Sequence, residues 1–209
     1  MIIDASQGIM TVYDLKPRFQ ALLRPLLKRL YRAGVTANQV TLAALVASIL
    51  VGGLLTVFPL ASLYLILPIF LFIRMALNAI DGMLAREFNQ QSKLGALLNE
   101  TGDVLSDVAL YLPFMLLPGA TPWLVILAVF LSAFTEFCGV LAQTIGASRR
   151  YDGPMGKSDR AFIFGAYGLA IFIWPILQQW SWLVFGLVSV LLIWTCLNRC
   201  RRALAEVRS

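Results

Sequence analysis

The sequence contains no histidine and few charged residues of any kind. None of its 209 residues is His, only 13% are Asp, Glu, Lys or Arg, and 59% are hydrophobic. The absence of His excludes every mechanism that uses an imidazole as a base or as a metal ligand. The shortage of charge excludes a water-soluble domain of this size, because such a domain needs a polar surface. The composition therefore predicts an integral membrane protein whose chemistry depends on carboxylates, hydroxyls, thiols or a metal held by oxygen.

Cysteines and processing signals are also scarce. The three cysteines, Cys138, Cys196 and Cys200, lie in or beside apolar segments, and their spacing fits neither a zinc site nor a disulfide framework. We interpret them as packing residues. The first ten residues lack the basic region, apolar run and cleavage site of a signal peptide, and no repeat or linker divides the chain. We therefore expect residues 1–209 to form a single membrane domain.

The apolar residues are arranged in segments of spanning length. Six stretches are each long enough to cross a hydrocarbon core of about 30 Å as a helix. They cover residues 38–57, 60–88, 93–117, 122–147, 159–177 and 181–198. The predicted fold class is all-α integral membrane, with a six-helix transmembrane bundle over 38–198 and a cytoplasmic tail at 199–209.

A basic segment precedes these stretches. Within residues 11–32, apolar side chains such as Leu15, Phe19 and Leu23 recur at helical spacing, with Lys and Arg residues between them. This pattern predicts an amphipathic helix that lies on the cytoplasmic surface of the membrane.

The basic residues are unevenly distributed along the chain. Of the 17 Lys and Arg residues, all except Arg74 lie in the N-terminal segment, the turn at 86–93, the loop at 149–160 or the tail. The positive-inside rule places these segments, and hence both termini, on the cytoplasmic side of what we expect to be a bacterial inner (plasma) membrane. The net charge of +6 is then a signal of orientation and does not indicate nucleic-acid binding.

Two consecutive spans carry polar residues that a purely structural helix does not need. At about 100° per residue, these residues and several small ones fall on one face of each span. They are Asn78, Asp81, Gly82 and Ala85 on the second span, and Gly95, Asn99, Gly102, Asp103 and Ser106 on the third. Carboxylate and amide oxygens are ligands for Mg²⁺ or Mn²⁺, which usually bind together with substrate phosphates. The alternative is that these groups only pair between the helices.

These residues resemble the signature of the CDP-alcohol phosphotransferases. The matching positions are Asn78, Asp81, Gly82, Ala85, Arg86, Gly95, Asn99 and Asp103, and the family has aspartate at 78, 81, 99 and 103. The resemblance implies transfer of a phosphoalcohol (phosphatidyl) group from a CDP-linked donor, commonly CDP-diacylglycerol, to an acceptor hydroxyl with release of CMP. It also implies a six-span fold and a homodimer.

The resemblance also implies a role for each matching residue. Asn78, Asp81, Asn99 and Asp103 would hold Mg²⁺ or Mn²⁺, and Asp103 would be the base that takes the acceptor proton. The residues implied to border the donor are Gly82, Ala85, Arg86 and Gly95, with Asn38 and Thr41 as a polar pair nearby. For that pair, helix capping is an equal interpretation. Because two family aspartates are Asn here, we expect weaker metal binding or a single-metal site.

The loop at 149–160 combines glycines with basic residues. The segment Gly156, Lys157, Ser158 does not form a P-loop, because Tyr151 stands where that motif needs Gly and no strand precedes it. The candidates for binding a phosphate on the acceptor are Lys157, Arg160, Arg149 and Arg150. The alternative is that these residues only orient the chain in the membrane.

Three further ionisable residues lie deep in their spans. Arg74, Asp107 and Glu136 are each about 18 to 21 Å from the cytoplasmic end at the usual helical rise. An unpaired charge at that depth costs at least about 2.5 kcal/mol. We therefore predict a structural ionic cluster with Arg74 between the two acids. The alternative makes Asp107 an extra metal ligand.

Two other functions compete with a transferase. A CDP-lipid binder with little or no catalysis is favoured by Asn78 and Asn99. A small transporter would have its site between repeats at the membrane midplane, and no repeat is visible. The acceptor is left open among glycerol phosphate, inositol phosphate, serine and other headgroups.

Overall fold

The computed structural model describes the backbone of residues 12–208 and the side chains from residue 18 onward, and this part of the chain is helical without strands. It contains seven α-helices: α1 (Val12–Arg32), α2 (Ala37–Val57), α3 (Ile66–Glu87), α4 (Lys93–Tyr111), α5 (Pro122–Leu141), α6 (Lys157–Ile173) and α7 (Ser181–Arg208). Short 3₁₀ segments precede α3 and α7 and extend α4 and α5. The predicted all-α class is confirmed.

Four helical segments are long and apolar enough to cross a membrane. They are Ala37–Val57, Ala61–Glu87, Pro122–Ile145 and Pro175–Arg208. The two remaining helices of the expected bundle, α4 and α6, carry several charged residues each, such as Glu100 and Asp107 in α4 and Arg160 in α6. The count of six spans stays a prediction, as does the membrane-surface position of α1, and residue 11 lies outside the described residues.

Two helix ends differ from the expected bounds because of local chemistry. Helix α6 ends at Ile173 instead of Leu177, since Pro175 cannot continue an α-helix and begins a 3₁₀ segment. Helix α7 continues through the segment expected to be a tail, as far as Arg208. There Ala203 packs against Ala142 and Ala147, so the extension is anchored to the end of α5.

The aromatic core holds the bundle together at the end away from the basic loops. Tyr111 ends α4, Phe114 lies in the 3₁₀ segment after it, Phe164 lies on α6 and Phe185 lies on α7. All four are buried. The rings of Phe114 and Phe164 are 6.0 Å apart, and those of Phe164 and Phe185 are 5.6 Å apart. A second cluster, which includes Leu27, joins α1 to α2 and α3. Burial of these side chains fixes the helices whose other ends carry the polar faces.

Helices α2 and α4 approach each other closely at Gly52. A Cβ atom added there would collide with the carbonyl oxygen of Ala109, whereas a Cβ added at the neighbouring Gly53 would meet nothing within 4 Å. Gly52 is therefore required by packing, and this contact sets the distance between α2 and the helix that carries Asn99 and Asp103.

The two glycines provide a matched test of this contact. Gly52→Ala should destabilise the detergent-solubilised protein by about 1–3 kcal/mol, because the new methyl overpacks the interface with α4. Gly53→Ala should leave stability unchanged or raise it by about 0.5–1 kcal/mol, because Ala is the better helix former. Thermal unfolding of the two variants measures the difference, and equal effects would show that the close approach is not required.

Candidate active site

A pocket with a volume of about 1070 Å³ opens where the polar faces of α3 and α4 meet. Helices α2, α5, α6 and α7 and the loop before α6 complete its walls. The expected site residues that line it are Asn38, Thr41, Asn78, Asp81, Gly82, Ala85, Arg86, Gly95, Asn99, Asp103, Arg149 and Lys157. The structure thus brings together residues from distant parts of the chain. Arg150 and Arg160 do not line the pocket.

Three helices begin at this pocket. Thr36 caps α2 through a capping box with Gln39, and Ser92 caps α4 by accepting a hydrogen bond of 2.9 Å from the Gly95 amide. Helix α6 begins after Gly156, whose amide donates to Asp159 Oδ2 at 2.9 Å. The N-terminus of a helix carries a partial positive charge and unpaired amides, which favour bound anions. Their convergence makes the mouth of the pocket suited to a phosphate-bearing molecule.

The two carboxylates of the expected metal site are held in different ways. Asp81 is 5% exposed, and its Oδ2 accepts a hydrogen bond of 2.8 Å from the Thr41 hydroxyl. Asp103 Oδ1 accepts hydrogen bonds from the Lys157 ammonium group and, at 3.5 Å, from the Asn78 amide. These contacts fix both side chains in the pocket. The hydroxyl of Thr41, which the sequence placed near the donor, thus contacts the predicted metal ligand Asp81.

Gly95 allows the Asn38 side chain of α2 to approach α4 closely. A Cβ at position 95 would lie 2.7 Å from Asn38 Oδ1 and 3.0 Å from the Ser92 hydroxyl oxygen. A larger residue there would push Asn38 out of the pocket. The small residue of the signature is therefore needed for the shape of this wall.

The oxygen donors suit a hard cation but carry little charge. Among the residues that the structure describes, no three or more His, Cys, Asp or Glu side chains are grouped so that they could hold a metal ion. Asn78 and Asn99 occupy the positions where further carboxylates would complete such a group, and their amide oxygens can also coordinate Mg²⁺ or Mn²⁺. The donor set fits such an ion, with half of the charge that four aspartates would supply.

Arg149 lies at the opposite wall of the pocket. Its guanidinium donates to Glu100 and, at 3.1 Å, to Glu136 Oε2, and it lies 4.5 Å from the centre of the Tyr151 ring. Glu100 and Tyr151 are not among the predicted site residues, although both line the pocket. Glu100 directly follows Asn99 and belongs to the same polar run, which was the signal that could have found it.

Arg160 and Arg150 differ from their expected place at an acceptor phosphate. Arg160 is 1% exposed and donates to Asp107 Oδ2 at 2.9 Å and to Glu136 Oε1 at 2.9 Å. Its remaining donors reach the Thr135 hydroxyl and the Met155 carbonyl, so its guanidinium has protein partners on every side. Arg160 therefore lies among buried carboxylates and not at the pocket surface, and its role at an acceptor phosphate stays a prediction.

Arg150 lies in the loop outside the pocket. It donates to Asp152 Oδ2 at 2.8 Å and to Glu206 on α7. The hydrogen bond to Asp152 raises the pKa of the Arg150 guanidinium above its ordinary value, so the group stays charged. These contacts hold the loop against the end of α7, and the role of Arg150 at an acceptor phosphate stays a prediction.

The buried ions form a longer chain than expected. Arg74 pairs with Asp107 at 2.6 Å, and Asp107 pairs with Arg160 at 2.8 Å. Arg160 continues to Glu136, which also lies 3.5 Å from Arg199. The residue between Asp107 and Glu136 is thus Arg160 and not Arg74, which contacts Asp103 instead, at 3.6 Å. Asp107 is enclosed by two arginines outside the pocket, which contradicts the alternative of an extra metal ligand.

The fold and the pocket define a class of protein. It is an all-helical membrane protein whose pocket combines hard oxygen donors with helix N-termini, a combination suited to a phosphate-bearing ligand. The family model for CDP-alcohol phosphatidyltransferase matches residues 34–196, and the chain belongs to this family. The resemblance found in the signature is confirmed.

Individual proteins are similar to this chain in sequence or in fold. Inner membrane protein YnbA of Escherichia coli (strain K12) is 60% identical over 195 residues, which cover 93% of this chain and 97% of that protein. Phosphatidylinositol phosphate synthase of Mycobacterium tuberculosis is similar in structure. Its complex with manganese and citrate has a TM-score of 0.68 at 24% identity and covers 86% of this chain and 88% of the other. Its form with CDP-DAG bound has a TM-score of 0.66 at 25% identity, with 88% and 92% covered.

The different surroundings of the two arginines lead to opposite predictions. Arg160→Met should destabilise the protein by about 3–5 kcal/mol, because it leaves the buried Asp107 and Glu136 without a shared counterion. Arg150→Met removes only ion pairs of the loop and should lower stability far less than Arg160→Met does. Thermal or denaturant unfolding of both variants provides the comparison. A small loss in Arg160→Met would mean that the ionic chain is not needed for stability.

Proposed function

We propose that this chain transfers a phosphatidyl group from CDP-diacylglycerol to an acceptor hydroxyl and releases CMP, in phospholipid biosynthesis. The observation that carries the proposal is the pocket in which the signature residues of α3 and α4 meet the N-termini of α2, α4 and α6. Family membership supports the reaction class. The bound CDP-DAG of the structural relative supports the donor. The relative named an inner membrane protein supports a bacterial inner membrane as the location.

The donor diphosphate is expected at the end of the pocket near Arg86. Arg86 lines the pocket, is exposed and makes no ion pair with any described residue. Its guanidinium lies beside Gly82, where an added Cβ would be 3.1 Å from Nη1. A cation without a carboxylate partner can bind an incoming phosphate at little cost. The three helix N-termini add favourable potential for the same group.

A divalent cation would be held by Asp81 and Asp103 with the amide oxygens of Asn78 and Asn99. When bound, it would neutralise the negative charge of the diphosphate. Asp81 is already oriented by Thr41, and Asp103 by Lys157. The ammonium group of Lys157 adds a fixed positive charge to this end of the pocket.

Asp103 is assigned as the base. Its Oδ1 is occupied by Lys157 and Asn78, while Oδ2 has no hydrogen-bond partner among the described residues. The acceptor hydroxyl gives its proton to this oxygen as its own oxygen bonds to the phosphorus that carries diacylglycerol. The bond from that phosphorus to the bridging oxygen breaks, and CMP leaves with that oxygen.

A CDP-lipid binder with little turnover is the second candidate. Asn78 and Asn99 favour it, because two amides replace carboxylates that a fully charged metal site would use. Both candidates would bind the CDP-linked donor. Only the transferase would release CMP from it at a substantial rate.

Replacement of the base separates catalysis from binding. Asp103→Asn should lower the rate of CMP release from CDP-diacylglycerol by about 10²–10⁴-fold, because the amide cannot accept the proton. Donor binding, followed as the rise in melting temperature with CDP-diacylglycerol, should survive. Asp152→Asn is the control, since Asp152 lies outside the pocket. If Asp103→Asn turns over at the wild-type rate, Asp103 is not the base.

Restoring the missing charges tests the metal site. The double variant Asn78→Asp, Asn99→Asp should reach half-maximal CMP release at a lower Mn²⁺ or Mg²⁺ concentration, because carboxylates bind a hard cation more strongly than amides do. Gln143→Glu with Asn198→Asp adds the same two charges outside the pocket and should leave the metal requirement unchanged. An unchanged or higher requirement in the pocket variant would show that this site is built for amides.

A further inference from the structure

Glu136 on α5 lies among three arginines at the wall of the pocket. Its Oε1 is 2.9 Å from Arg160 Nη2, and its Oε2 is 3.1 Å from Arg149 Nη2 and 3.5 Å from Arg199 Nη1. The arginines come from α6, from the loop before it and from α7, so they are brought together by the tertiary fold alone. Glu136 is 7% exposed, yet Glu136, Arg149 and Arg199 all line the pocket.

Several guanidinium groups that converge from separate elements form a site for an anion. The planar fork of Arg binds a carboxylate and a phosphate with the same geometry. Arg149, Arg160 and Arg199 could therefore hold a substrate phosphate, but the carboxylate of Glu136 occupies the place between them. In this protein the anion site is therefore occupied by the Glu136 side chain.

Other cations that line the pocket are also paired with carboxylates of this protein. Four cations line it, namely Arg86, Arg149, Lys157 and Arg199, and five carboxylates line it as well. Lys157 pairs with Asp103, and Arg149 pairs with Glu100 in addition to Glu136. Arg86 alone among the four makes no ion pair with a described residue, and it lies on the side assigned to the donor. A second phosphate near Arg149 would have to displace a buried carboxylate, which is costly.

We propose that Glu136 determines acceptor specificity by occupying this anion site, so that the accepted alcohol carries no phosphate group. The acceptor is then a neutral polyol or an amino alcohol. This inference rests on the proposed transferase function, because only a transferase has an acceptor substrate. The occupation of the anion site by Glu136 can be tested without turnover.

The first experiment uses the wild-type protein and pairs of acceptors. CMP release from CDP-diacylglycerol is measured with glycerol and glycerol 3-phosphate, inositol and inositol phosphate, and serine and phosphoserine. In any pair that reacts, kcat/KM should be at least about tenfold higher for the member without phosphate, a difference of about 1.4 kcal/mol. Preference for the phosphorylated member overturns the proposal. If no acceptor yields CMP, the proposed function fails, and the second experiment still decides the role of Glu136.

The second experiment measures rescue by inorganic phosphate. Glu136→Ala leaves three arginines around an open space, so it should unfold at a lower temperature than wild type, and phosphate should restore about 4 °C or more relative to chloride at equal ionic strength. Asp107→Ala is the matched control, because Asp107 also lies between two arginines but outside the pocket, and phosphate should not rescue it. Glu136→Ser, which also leaves the space between the arginines open, serves the same purpose if the alanine variant does not fold. If phosphate stabilises Glu136→Ala or Glu136→Ser no more than it stabilises wild type, the proposal is overturned.

Discussion

Charged side chains inside an apolar helix bundle need partners, because an isolated buried charge costs more than a single favourable contact returns. In this protein that constraint is met by a chain of ions that runs from Arg74 through Asp107 and Arg160 to Glu136. This series of ion pairs joins α3, α4, α6 and α5 in that order. Each of these helices contributes a residue to the pocket, so the packing of the bundle and the position of the candidate active site depend on the same contacts.

The ion pairs leave the cations that line the pocket in two different states. On one side, Asp103 lies next to Arg74 and Lys157, and Arg86 has no carboxylate partner among the described residues. On the other side, the arginines around Glu136 are neutralised by carboxylates of the chain itself. A diphosphate is therefore favoured near Arg86, and an uncharged or amine-bearing group is favoured near Glu136. This division of charge is the physical basis for assigning the two substrates to the two sides.

Helical periodicity was sufficient to predict the faces of α3 and α4, because spacing along one helix determines which side chains share a face. It could not predict the place of Arg160, which begins α6 like a loop cation but becomes buried when α6 packs against α3. Arg199 was assigned to a tail for a similar reason, although α7 continues through it and brings it to Glu136. Depth along a single helix says nothing about neighbours from other helices, and those neighbours decide whether an arginine binds a substrate or a carboxylate.

The central claim is a coupled transfer, and the most direct measurement follows both products in one reaction. Purified protein is mixed with CDP-diacylglycerol, Mn²⁺ or Mg²⁺ and one acceptor at a time, and CMP and the lipid products are quantified by mass spectrometry. Transfer predicts that CMP and a new phospholipid containing the acceptor form in equal amounts, and only when that acceptor is present. Binding of CDP-diacylglycerol, with the donor recovered intact in every reaction, would contradict the claim and identify the protein as a CDP-lipid binder.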